Sequence, residues 1–188
     1  VGLKNTAIRY GAITRSFHWI ILVLFIYQYT VANMMLRIER DQTLLGFTQG
    51  TLYNWHKSVG LILLLLALLR LSWRKATSLP DWAPTLTRWE RQAFHWIERI
   101  LYTAMLLMPI SGYVYTMAGG YGVRLFGIYA LPNPFGKIEI LAEIGKTLHI
   151  ITAYMIVLTL VCHVGLVFKH QFVDKDKLLY RMLPFNPQ

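Results

Sequence analysis

Cysteine occurs once in the 188 residues, as Cys162, so no disulfide can form within the chain. Acidic side chains are scarce. Nine Asp and Glu stand against nineteen Lys and Arg, a formal charge of +10. No low-complexity segment, linker-like stretch or internal repeat divides the sequence, so residues 1–188 read as one domain. Most telling is the shortage of polar breaks within apolar stretches, which a soluble domain of this size would carry throughout. Residues are 55% hydrophobic and 14% aromatic. Four long apolar runs stand out: Phe17 to Leu36, Trp55 to Trp73, Phe94 to Ala118, and Leu148 to Phe168. Each is near the ~20 residues a helix needs to cross a bilayer. The pattern predicts an all-α integral membrane four-helix bundle with four spans.

An excess of basic charge can serve nucleic acid, but its placement here argues for membrane topology. Thirteen Lys and Arg fall in the N-terminal arm, the second connection and the C-terminal tail, counting Arg70 and Arg99 at helix ends. Six belong to the first and third connections and the adjoining helix ends: Arg37, Arg40, Lys57, Arg124, Lys137 and Lys146. Basic residues gather on the cytoplasmic side, which predicts both termini inside a multi-pass membrane protein with no nucleic-acid partner. Trp19, Trp55, Trp73 and Trp96 lie at run ends, where interfacial aromatic anchors belong. The first run follows Lys4, Arg9 and Arg15 but is too long for a signal-peptide core and lacks a small-x-small cleavage site. It is expected to be retained.

Six histidines are the unusual polar content. His149, His163 and His170 follow one another at intervals of fourteen and seven residues. A helix turns about 100° per residue, so all three share roughly one face. His149 and His163 lie ~21 Å apart along the axis, a large part of a ~30 Å hydrocarbon core. With the N-terminus inside, His18 sits near the inner end of span one and His56 at the outer start of span two. Depth then pairs His56 with His149 in the outer leaflet and His18 with His163 in the inner one. A metal bond removes the cost of burying an imidazole nitrogen, and intramembrane ionisable residues are functional candidates by default. Paired histidines without cysteine or carboxylate partners suit haem better than tetrahedral zinc. No C-x-x-C-H motif is present, so such a haem would be held non-covalently. An ordinary interhelical hydrogen bond is the simpler account of any one of these histidines alone; the depth pairing favours ligation.

Glycines accompany the pattern. Gly60 follows His56 by one turn and Gly145 precedes His149 by one turn, so each clears space on its neighbour's face. In "LMPISGY", Pro109 predicts a kink and Gly112 an opening beside a bulky planar ligand. His95 and His170 lack partners at matching depth. Solvated interfacial residues are the plain account of both, and each is also a candidate to replace His18 or His163. The third connection, "GGYGVRLFGIYALPNPFGKIEI", is long enough to fold over the outer end as a lid or docking surface. "KIEILAEIGKTL" reads as helix, placing the start of the fourth helix well before its apolar section.

The segments "RSFHWIILVLF", "WHKSVGLILLLLALLRLSWR", "LMPISGY", "TLHIITAYMIVLTLVCH" and "LLYRMLP" resemble the bacterial di-haem cytochrome b-561 family over nearly the whole chain. Glu98 stands where relatives often carry another histidine. The resemblance implies two b-type haems, with iron ligands at His18 and His163 (inner) and at His56 and His149 (outer). It also implies transmembrane electron transfer. Similar proteins include superoxide:ubiquinone oxidoreductases, which would make superoxide the donor and ubiquinone the substrate that accepts electrons. Cytochrome subunits of hydrogenase and formate dehydrogenase are similar too, and they imply a non-catalytic subunit docked to a soluble redox partner on the periplasmic side. The six basic residues at the outer end are candidates to steer an anion, although Glu39, Asp41, Glu139 and Glu143 share their segments. At the inner end, Arg70, Arg74 and His170 are candidates for haem propionate or quinone contacts. Arg70 and Arg74 are equally well explained as interfacial anchors.

Overall fold

The computed structural model describes residues 2–176 and 178–183. Four long helices dominate: α1 (Ala12–Arg37), α2 (Gln49–Ala76), α3 (Arg88–Ala118) and α4 (Glu139–Phe168). Each extends its apolar run by a turn or more. α4 begins nine residues before Leu148, as "KIEILAEIGKTL" suggests, and continues through a π-helical turn at Lys169–Val173. Start signals differ between helices. Thr48 caps α2 by accepting from the Thr51 N–H at 3.2 Å. Thr87 and Glu90 form a reciprocal capping box on α3, which satisfies two end groups at once.

Among the described residues, α1, α3 and the Glu139–Val173 run are long and apolar enough to cross a membrane. α2 is as long, but only twelve residues separate Lys57 from Arg70. That is ~18 Å of uninterrupted apolar helix, short of the hydrocarbon thickness. The fold partly accommodates these ends. Lys57 turns inward and donates to the Gly122 carbonyl at 2.8 Å, while the Arg70 guanidinium lies 5.4 Å from the Tyr102 ring centroid.

The strongly helical pattern hid two short hairpins. β1 (Thr43–Leu44) pairs antiparallel with β2 (Phe47–Thr48) through Leu45 and Gly46, which take φ of 53° and 80°. Two successive positive φ values make the tight turn whose twist matches flanking strands. β3 (Arg124–Leu125) pairs with β4 (Tyr129–Ala130) around Gly127, φ 79°. This second hairpin folds back on the start of α2: the Phe126 N–H donates to Ser58 Oγ at 2.7 Å, and the Phe126 ring meets Trp55 edge-on. Strands of two residues carry too little alternation to be seen in sequence.

The close helix pairs are α1–α2, α2–α3 and α3–α4. Ile21, Leu63, Ala67 and Met105 form one apolar cluster between the first three helices, and Val31, Met35, Ile38 and Leu52 form another toward the hairpin end. The α3–α4 contact relies on small residues. A Cβ at Gly145 would lie 2.7 Å from the Tyr115 nitrogen and 3.0 Å from the Ser111 carbonyl oxygen. Gly145 therefore serves close helix packing, not the clearance beside His149 that the sequence suggests. Outward, α4 exposes Ile144, Ile151, Leu158 and Val161, a lipid-facing stripe. At the opposite end from the hairpins, three segments interlock. Asp81 N–H donates to the Ala7 carbonyl at 2.8 Å, Arg15 to Leu183 at 2.7 Å, and the Trp19 indole to Met182 at 3.0 Å.

Gly145→Ala should push α3 and α4 apart, because the obstructing atoms are backbone and cannot rotate away. The expected cost is ~1–3 kcal/mol, read as a lower melting temperature in detergent. Gly165→Ala, with open space around its Cβ, is the control and should melt like the parent.

Candidate functional site

Four histidines meet in two pairs. His56, in the second turn of α2, faces His149 of α4 with ring centroids 6.2 Å apart. His18, in the second turn of α1, faces His163 near the end of α4 with centroids 6.4 Å apart. All four are half-buried. The pairs thus lie at opposite ends of α4, and each joins helices outside the closely packed set. A space remains between the backbones that imidazoles reach across from either side.

The ring environments favour a metal between them. His149 Nδ1 lies 2.8 Å from the Met108 carbonyl oxygen, so it carries the proton and Nε2 keeps its lone pair. His56 Nδ1 and His163 Nδ1 are buried without hydrogen-bond partners, a costly arrangement for polar nitrogens. Imidazole–metal bonds are ~2.0–2.1 Å long, so two rings facing one ion from opposite sides have centroids roughly 6 Å apart. Both pairs have that separation. Two opposed nitrogens with no other ligand nearby suit an ion whose remaining positions a planar macrocycle fills, which is haem.

The surroundings revise some expectations and extend others. A Cβ at Gly112 would lie 2.8 Å from His149 Cε1. The room Gly112 opens is filled by the imidazole itself. At Gly60 the neighbour is the Gln28 side chain, which donates to the His56 carbonyl at 2.9 Å. Arg70 has a buried Nε with no hydrogen-bond partner. Arg74 is committed to Glu98 at 2.7 Å, so Glu98 serves as its charge partner. Both arginines line a cleft of about 70 Å³ with Tyr10, Trp73 and Tyr102. His95 is exposed, in keeping with an interfacial position.

His170 departs from the solvated reading. It is fully buried, its Nδ1 lies 2.7 Å from Asp176 Oδ2, and the Phe94 ring stands between it and His163. Its partners Glu90, Asp174 and Asp176 escaped sequence analysis. Their local signals are the T-x-x-E capping box of Thr87–Glu90 and the carboxylates four and six residues after His170.

The model of the prokaryotic cytochrome b561 family matches residues 9–185. Over 186 residues the chain is 29% identical to cytochrome b561 homolog 2 of Escherichia coli (strain K12), covering 97% of this chain and 95% of the relative. Cytochrome b561 homolog 1 of the same organism is 25% identical over 167 residues, 89% of this chain and 92% of the relative. With the histidine pairs and apolar helices in place, the match over almost the full length identifies the chain as a member of the prokaryotic cytochrome b561 family, membrane-bound b-type cytochromes that carry electrons.

Proposed function

We propose that this protein is a four-span di-haem cytochrome of the bacterial inner membrane, passing electrons between a one-electron donor and the quinone pool. The observation that carries this reading is the pair of facing imidazoles at each end of α4. His18 and His163 are assigned to the inner haem, His56 and His149 to the outer. Two non-covalent b-type haems held by these four histidines would supply one-electron transfer chemistry. The chain supplies everything else. α4 sets the spacing of the two sites by its rise, ~21 Å between His149 and His163. Met108 orients His149 through its carbonyl. Arg70 has a buried Nε without a hydrogen-bond partner, which supports a role for it in holding an anionic propionate.

Orientation follows from charge. The N-terminal arm, second connection and tail hold thirteen of nineteen basic residues and are tied together at one end, which supports cytoplasmic termini. At the hairpin end, Lys137 and Lys146 pair with Glu139 and Glu143, and Lys57 turns inward. Arg37, Arg40 and Arg124 are exposed and form no ion pair among the described residues. They are the groups best placed to attract a small anion such as superoxide. Two superoxide ions would yield two electrons and two molecules of oxygen, while one ubiquinone takes two electrons and two protons.

A second reading is an electron-transfer subunit docked to a soluble enzyme. It is favoured by the third connection, where Ile128, Tyr121 and Tyr129 are 85%, 68% and 61% exposed.

His56→Ala and His149→Ala should each lose the same haem and retain the other, seen as halved haem content and a common surviving α-band in reduced-minus-oxidised spectra. Loss of different haems by the two variants would break the pairing, and a colourless parent from haem-replete cells would end the haem reading altogether. In stopped flow, superoxide should reduce the purified protein well above background, and added ubiquinone should reoxidise it. Failure of the first step with both haems present would leave the docked-subunit reading.

A further inference from the structure

A group of titratable side chains outside the histidine pairs gathers where the start of α3, the end of α4 and the tail meet. Glu90 is 1% exposed and His170 is fully buried. Asp174 and Asp176 approach from the chain that follows α4. His170 Nδ1 lies 2.7 Å from Asp176 Oδ2 and 3.1 Å from Asp174 Oδ2. A nitrogen between two carboxylate oxygens carries a proton, which leaves Nε2 as the ring's metal-binding atom. That atom is buried and has no hydrogen-bond partner. The charged atom it faces is Glu90 Oε1 at 3.7 Å, too far for a hydrogen bond. That gap is one a shared metal ion would span. Bonds of ~2.0–2.2 Å to nitrogen and oxygen place two ligands of one ion roughly 3–4 Å apart.

Charge points the same way. Three carboxylates surround the imidazole, and one ammonium lies among them. Lys169 Nζ bridges Glu90 Oε1 at 2.7 Å and Asp174 Oδ2 at 2.6 Å. It holds the position of a cation on a side chain 38% exposed, long enough to withdraw into water. Asp176 is itself fixed: its Oδ2 accepts from Thr85 Oγ1 at 2.7 Å and lies 2.7 Å from His170 Nδ1, and its Oδ1 accepts from the Leu178 N–H at 3.0 Å. An ionised carboxylate on the far nitrogen of a histidine is the arrangement that orients metal-binding imidazoles.

We propose that Glu90, His170 and Asp174 form a non-haem site for a first-row transition-metal dication, with Asp176 as the positioning carboxylate that orients His170. Ligand atoms of the three residues all lie within 4.8 Å of one another. One imidazole with carboxylates suits zinc or manganese. Lys169 is the resident counterion that a metal displaces. The metal would join two helix ends to the tail, whose carbonyls at Met182 and Leu183 accept from Trp19 and Arg15 of α1. It would thereby fix the tail around the inner histidine pair. The site is separate from the haem assignment and stands or falls without it.

The test uses tag-free, haem-loaded protein in detergent, treated with EDTA and titrated separately with zinc chloride and manganese chloride. Metal retained after gel filtration is measured by elemental mass spectrometry. One equivalent of zinc or manganese per chain is expected. His170→Ala should abolish retention, and Asp176→Asn should weaken it about 10–100-fold. Lys169→Met should bind more tightly, because the competing ammonium is gone. Haem content and spectrum of each variant report whether it is folded. No retained metal in the parent, retention unchanged in His170→Ala, or weaker binding in a folded Lys169→Met protein would overturn the proposal.

Discussion

A polar nitrogen held away from water needs a partner, and four imidazoles embedded among apolar helices impose that requirement on this fold. Two of them ride on α4, so α1 and α2 must each present a histidine to a helix they do not pack against closely. The result is a structure with two kinds of interface. α3 and α4 approach through Gly145, Ser111 and other small residues until backbone meets backbone. α1 and α2 close on each other through larger apolar side chains. The histidine pairs span the remaining interval, where the buried Nδ1 atoms of His56 and His163 lack hydrogen-bond partners.

The two ends of the molecule are built by different means. At the hairpin end, short strands and a long glycine-rich connection fold onto the start of α2, using Ser58 and Lys57 to satisfy loop backbone. At the other end the arm, the second connection and the tail exchange hydrogen bonds among segments more than 70 residues apart in sequence. Charged groups concentrate there, and they are organised rather than merely solvated. Arg74 is paired with Glu98, Lys169 with Glu90 and Asp174, and His170 is enclosed among carboxylates. Such pairing lets polar groups persist beside an apolar interior, because each charge meets its complement before it meets lipid.

Glycine illustrates how chemistry inferred from spacing changes once neighbours are known. Gly60, Gly112 and Gly145 each suggest room for a ligand. In the fold their empty sides receive a glutamine amide, an imidazole and a helix backbone, respectively. Only the imidazole belongs to the histidine pairs, and there glycine lets His149 stand close to α3 with its Nδ1 on the Met108 carbonyl.

The amino-acid sequence alone determined the helical, membrane-bound character, the four helices and the family. These follow from local quantities: run length, periodicity, basic-residue placement and motif identity. The histidine pairing was also legible, because depth along a helix is proportional to residue number and imidazoles have few tolerable alternatives in an apolar setting. Tertiary structure decided the rest. The short apolar centre of α2, the hairpins, the neighbours of the glycines and the enclosure of His170 all depend on which segments meet in space. His170 with Glu90 is the clearest case. Eighty residues separate them, and neither the capping box nor the helical face of His170 indicates that a buried nitrogen and a buried carboxylate will end 3.7 Å apart. Periodicity specifies which way a side chain points, whereas only packing specifies what it finds there.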